Sequence, residues 1–135
     1  MIQQVEFALP KFPIGFHLIT ELVVKKLPAL PETGMANIFI KHTSAALTIN
    51  ENADYTVRKD FQKFISTLVP FSNTYEHTLE GEDDMTAHIK SSLLGQSVWI
   101  PISNGKLNLG TWQGIYLCEF RNHGGNRKLV ITIIS

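Results

Sequence analysis

His42-Thr43-Ser44-Ala45-Ala46-Leu47-Thr48-Ile49-Asn50-Glu51-Asn52-Ala53-Asp54 is the stretch on which the fold turns. Ala45, Leu47 and Ile49 alternate as the inward side of a half-buried strand does, and Thr48 and Asn50 share the opposite face. A solvent-exposed strand usually carries Lys, Glu or Arg there. Short neutral side chains aim hydrogen bonds at a fixed target, so the stretch reads as a strand that ends in a site. The competing reading is a polar turn between strand and helix with Asp54 as the helix cap, because Ser, Thr, Asn and Asp also favour turns and caps.

Outward from this stretch, strands dominate. Val5, Phe7 and Leu9 alternate up to Pro10, so residues 2–9 read as a strand, and residues 11–15 as a turn. Thr20 as cap and closing lysines suit a short helix up to Leu27. Ile38, Ile40 and His42 share one face of the strand after Gly34, which makes His42 the end of an inward face. A helix from Asp54 to about Val69 has Tyr55, Phe61, Phe64, Ile65 and Leu68 as its expected buried stripe and is stopped by Pro70. Residues 71–84 read as a loop, longer than a compact domain usually keeps without purpose. A further helix over 85–94 has Met85, Ile89 and Leu93 as its expected stripe, and Gly95 ends it. Val98, Ile100 and Ile102 alternate, Asn104-Gly105 signals a tight turn, and Leu107 and Leu109 continue the pattern. Residues 115–121 and 127–134 read as two strands joined by a hairpin through Asn122-His123-Gly124-Gly125-Asn126. The sum is a single α+β domain: a mainly antiparallel sheet or sandwich with two or three helices.

The chain has 135 residues, 44% hydrophobic and 18% charged, enough for one real core. Twelve basic and twelve acidic residues cancel, so bulk charge directs it to neither nucleic acid nor an anionic membrane. No apolar run nears the roughly 20 residues of a membrane span. The lone Cys118 excludes an internal disulfide and suits a reducing compartment, and no signal peptide is evident, so the expected location is cytoplasmic.

His42, His77 and His88 each sit among polar and acidic residues. Such histidines bind divalent metals or move protons near neutral pH, although no standard metal-ligand spacing occurs here. His17 and His123 read as ordinary hydrogen-bonders. Glu80, Glu82, Asp83 and Asp84 either favour the start of the following helix, form a solvated loop, or supply hard oxygens for a magnesium ion carrying a diphosphate. Asp83 and Asp84 lie nearest His88 and are the better candidates. Glu119 and Arg121, two apart on a strand, share a face with Ile115 and Leu117. Charge on an apolar face must be paired or used. Either the pair is a structural ion pair, with each other or with Arg127, or Arg121 and Arg127 form a fork for phosphate oxygens while Glu119 orients a substrate. Gln113, between Gly110 and Gly114, is expected to point into a cavity. No Gly-x-Ser-x-Gly elbow occurs, and Ser44 beside His42 does not make a triad.

Four motifs in order resemble the YjbQ family, whose members are described as secondary thiamine-phosphate synthase enzymes. They are residues 42–51, Tyr75-Glu76-His77, residues 80–85 with His88-Ile89-Lys90, and Leu109-Gly110-Thr111-Trp112-Gln113-Gly114-Ile115-Tyr116. The likeness runs from about Gly15 to the end. It implies a compact α+β fold, a homotrimer and a weak thiamine-phosphate synthase activity. It places family site positions at His42, Asn50, Glu51, Asp83, His88, Gln113, Glu119 and Arg121. Many relatives carry His where Phe120 stands and a small residue where Cys118 stands, which removes one proton donor here.

These readings give three expectations. The first is an enzyme that joins a pyrimidine diphosphate to a thiazole phosphate. His42, His88, Glu119 and Arg121 would be catalytic, and Asn50, Glu51, Gln113, Arg121 and Arg127 would bind the phosphorylated metabolite. A divalent metal, magnesium or zinc, would sit on His77, Asp83, Asp84 and His88. The second is a metal-dependent hydrolase or phospho-transfer enzyme in the same pocket. The third is a non-enzymatic trimeric protein that binds a small anionic ligand.

Overall fold

The computed structural model describes residues 1–135. Eight strands and three helices alternate along the chain: β1 (Ile2–Ala8), β2 (Gly15–Leu18), α1 (Thr20–Lys26), β3 (Thr33–Ile40), β4 (Ala45–Glu51), α2 (Tyr55–Leu68), α3 (Glu82–Leu94), β5 (Ser97–Ser103), β6 (Lys106–Leu107), β7 (Gln113–Glu119) and β8 (Lys128–Ile134). The expected α+β class with antiparallel sheets is what forms. One sheet has the order β1-β8-β3-β5-β6 and the other β2-β7-β4, with every pairing antiparallel.

The main core lies between the two sheets. Ile38, Ile40, Ile100, Leu129 and Ile131 from the large sheet meet Ala45, Leu47, Ile115 and Leu117 from the small one, and Val23 of α1 joins them. Each fully buried Ile or Leu contributes about 1.5–3 kcal/mol relative to an exposed one. The other face of the small sheet is covered by α2 and α3 through a second cluster that includes Phe16, Ala46, Ile65, Ala87, Tyr116 and Cys118. The layers therefore run large sheet, small sheet, helices. Because β7 is central in the small sheet, Gly114 to Glu119 are buried on both faces, which explains its lack of alternation.

Asn122 to Asn126 do not close a hairpin, since β7 pairs with β2 and β4 while β8 pairs with β1 and β3. The segment is a crossover from one sheet to the other. Arg121 consequently lies beyond the strand, not on the face of Ile115 and Leu117. Thr20 does not cap α1. Ile19 holds that position, and the Thr20 hydroxyl accepts from the Ile115 amide at 2.9 Å. Asp54 does cap α2, accepting from the Thr56 amide at 2.9 Å. The stripe of α2 is rotated, however. Ile65 and the following Val69 are buried and Phe61 packs beside them, whereas Tyr55, Phe64 and Leu68 are 61%, 65% and 56% exposed. Helix α3 starts at Glu82 rather than 85, and its buried residues are Asp84, Thr86, Ala87 and Ser91 instead of the Met85, Ile89 and Leu93 stripe. Small side chains let α3 approach β4 closely. No helix is long and apolar enough to cross a membrane.

Candidate functional site

The site begins with helix geometry. Because α3 already includes residues 82–84, Asp84 and His88 stand four apart on one face. His77, from the segment before α3, reaches the same carboxylate. Its Nε2 lies 2.6 Å from Asp84 Oδ2, and His88 Nε2 lies 3.0 Å from that same oxygen. One ligand atom from each residue lies within 4.8 Å of the others. The Asp84 side chain is 5% exposed, against 47% for His77 and 31% for His88, so the carboxylate forms the floor and the imidazoles the mouth.

The second nitrogen of His88 fixes its tautomer. Nδ1 lies 2.8 Å from the Thr43 carbonyl, which can only accept, so Nδ1 carries a proton. Nε2 then faces an ionised carboxylate with a lone pair unless a second proton or a metal cation stands there. An imidazole anchored through its far nitrogen to a backbone carbonyl is the usual support of a metal ligand. Two imidazoles and one carboxylate suit zinc better than magnesium, which favours oxygen, and three protein ligands leave a position open for chemistry. Burial alone would raise the Asp84 pKa. The hydrogen bond with His77 and the charges of His88 and Arg121 outweigh it and hold the carboxyl below its ordinary range.

Asp83 does not join this cluster. Its Oδ2 accepts from the Asn122 amide at 2.8 Å and its Oδ1 lies 3.3 Å from Arg121 Nε. Arg121 also donates from Nη1 to Asp84 Oδ1 and from Nη2 to the Glu80 carbonyl at 3.0 Å. The guanidinium thus braces the start of α3 against the end of β7.

Arg127 is elsewhere, so the expected two-arginine fork does not form. Its Nε donates to Glu119 Oε1 at 2.7 Å, its Nη2 pairs with Oε2, and Nη2 also donates to the Ser44 carbonyl at 3.2 Å. Glu119 is 0% and Arg127 3% exposed, so neither reaches a ligand in this chain. The structural ion pair is the reading that holds for Glu119, with Arg127 as its partner. The pair secures residues 42–44, and the Thr43 carbonyl among them orients His88 and accepts from Ser91 Oγ at 2.7 Å. Gly124 makes room for this. A Cβ there would land on Glu119 Oε1 and 2.6 Å from Arg127 Nη2. Gly124→Ala should therefore destabilise the chain by about 1–3 kcal/mol in urea unfolding, the usual cost of overpacking.

His42 shares a cleft with His88. Lys41, Ser92 and Gln96 also line this space of about 420 Å³. His42 Nε2 accepts from the Lys128 amide at 2.8 Å, which requires the neutral ring with its proton on Nδ1. Partial burial and the charge of Arg127 lower the His42 pKa from 6.5, against an opposing pull from Glu119, with Lys128 and Lys41 adding to the lowering. A depressed folded-state pKa gives stability that is full above the unfolded value of 6.5 and lost as pH falls through the folded value. Wild-type unfolding free energy should thus decline below pH 6.5 more steeply than that of His42→Gln, in urea melts run across pH.

Asn50, Glu51 and Gln113 lie at the opposite end of the small sheet. Glu51 pairs with Gln113 across β4 and β7, whereas Ala45 pairs with Glu119. Six residues of strand separate the two ends by roughly 20 Å. Asn50 Oδ1 accepts from the Glu51 amide at 2.7 Å, the Glu51 carboxylate accepts from the Ala53 and Asp54 amides, and Gln113 Oε1 accepts from the Gly110 amide at 2.8 Å. Gln113 does line a cleft of about 460 Å³, with Thr20, Lys25 and Asn52. The expected site residues therefore divide between separate clefts rather than lining one convergent cavity. His17 bonds the Pro13 carbonyl and stacks on Phe12, as an ordinary hydrogen-bonder does.

Sequence reading missed Thr43, Ser91 and Gly124. A carbonyl acceptor leaves no side-chain signal. Ser91, at one turn beyond His88 on the same face, was legible once α3 is extended to Glu82.

Residues 5–135 match the family model described as UPF0047 protein YjbQ-like. The UPF0047 protein YjbQ of Salmonella typhimurium is 50% identical over 135 residues, covering 98% of each chain. A YjbQ/UPF0047 structure from Clostridium acetobutylicum is 41% identical with a TM-score of 0.81, covering 96% of this chain and 99% of the other. A YbjQ-like protein of unknown function from Sulfolobus solfataricus P2 has a TM-score of 0.86 at 25% identity, covering 100% and 98%. With a family model spanning nearly its whole length and a relative at 50% identity, this chain belongs to the YjbQ (UPF0047) family.

Proposed function

We propose that this chain is a metal-assisted enzyme acting on a small phosphorylated metabolite in the cleft between His42 and His88. The observation that carries this reading is the convergence of two imidazole nitrogens on one oxygen of Asp84, with His88 anchored to the Thr43 carbonyl. A divalent ion held by His77, Asp84 and His88 would supply a Lewis acid for phosphoryl oxygens or a departing diphosphate. His42 Nδ1–H, free of a protein acceptor, hydrogen-bonds the substrate or returns a proton to it. Asp84, kept ionised by its neighbours, balances cationic charge at the centre.

The reaction implied by the resemblance is the joining of a pyrimidine diphosphate to a thiazole phosphate with release of diphosphate. A second reading, hydrolysis or phospho-transfer at the same centre, is favoured by the state of the arginines. Arg121 and Arg127 are both engaged by carboxylates, so neither of these two guanidiniums is free for a diphosphate. A homotrimer remains part of the proposal. Phe39 and Trp99 on the large sheet and Phe64 on α2 offer it exposed apolar surface.

The test is a product assay with the pyrimidine diphosphate, with and without the thiazole phosphate, before and after chelation. The expected result is turnover that chelation removes and zinc restores. A coupled product supports the synthase reading, and diphosphate or phosphate release without the thiazole partner supports the hydrolase. Full turnover in demonstrably metal-free protein would retire both.

A further inference from the structure

Helix α3 has a second flank that the cluster does not use. There Thr86 and Lys90 face Ser66, Val69 and Phe71 at the end of α2 across a groove of about 490 Å³, and Asn122 borders it. Lys90 is half-buried, and its Nζ lies 5.6 Å from the centroid of the Phe120 ring. No carboxylate lies within ion-pair distance of it. The two acids that border the groove do not serve it. Asp83 is held by Arg121 and the Asn122 amide, and Glu82 is exposed in the first turn of the helix. A partly desolvated ammonium with only an aromatic face beside it is poorly compensated. The Ser66 hydroxyl and the Asn122 carboxamide make no side-chain hydrogen bonds and remain available as donors.

We infer that this groove binds the anionic group, carboxylate or phosphoryl, of a small ligand, with Lys90 as its counter-charge and Ser66 and Asn122 as hydrogen-bond donors. The site is separate from the His77–Asp84–His88 centre, which lies on the other flank of α3, and does not depend on the proposed reaction. A bound anion would give the Lys90 ammonium the ionic partner that no carboxylate of the chain provides. The groove's apolar wall at Val69 and Phe71 suits a ligand with an apolar portion behind the anion.

Amide chemical shifts followed during titration of the full chain with inorganic phosphate, and separately with acetate, test the inference. Saturable shifts at Thr86, Lys90 and Asn122 are expected, with the response weakened at least tenfold in Lys90→Gln. The stronger of the two anions identifies the ligand class. Absence of saturation at these positions, an unchanged affinity in Lys90→Gln, or shifts centred on His77 and His88 instead would overturn it.

Discussion

Arg127→Met should lower the unfolding free energy by about 3–5 kcal/mol, because it strands the Glu119 carboxylate in the interior. Glu119 is fully buried on the central strand β7, and Arg127 supplies the two hydrogen bonds from its guanidinium that compensate its charge. The double variant Glu119→Leu with Arg127→Met should recover most of that loss, since a buried ion pair is often matched by apolar side chains of similar size. Urea unfolding of the two variants and the wild type measures this directly. A single variant within about 1 kcal/mol of wild type would place the pair in solvent contact. The same substitution releases the Ser44 carbonyl, so metal affinity should also fall as the Thr43 carbonyl loses its fixed position beneath His88.

Asp84→Asn should have the largest effect on function. It removes the oxygen charge on which His77 and His88 converge and the partner of Arg121 Nη1. Loss of an outer-shell partner typically costs roughly 10–100-fold in metal affinity, and loss of the ligand itself should exceed that. Turnover should fall in step. His77→Asn gives a check that does not disturb the interior, because His77 is half-exposed and outside the helix. Affinity that is unchanged in both variants would remove the cluster from the chemistry.

The strands were legible where apolar residues recur at every second position. Alternation in residues 33–40, 45–51 and 97–103 located β3, β4 and β5, and Asn104-Gly105 marked the hairpin to β6, with φ of 53° and 72°. Alternation says nothing about partners, so the glycine-rich segment after β7 read as a hairpin when it is a crossover. Helix faces were harder. The apolar residues of α2 outnumber the positions that touch the sheet, which leaves Phe64 and Leu68 exposed. In α3 the contact is made by Ala87 and Ser91, so hydrophobicity pointed to the wrong side. The histidines and Asp84 were identifiable by residue type and by the spacing of Asp84 and His88. The division of Arg121 and Arg127 between two different acids was not, because it depends on where the chain leaves β7. Asn50 was marked by the opening strand, Gln113 by its flanking glycines and Glu51 by family likeness, and a single chain holds them about 20 Å from the histidines.

The most direct test of the account is an anomalous-difference map from a crystal of the chain grown with zinc. The account predicts one zinc ion ligated by His77, Asp84 and His88, with His88 Nδ1 still bonded to the Thr43 carbonyl. A map with no zinc at these three residues, or with zinc held only by other side chains, would contradict it.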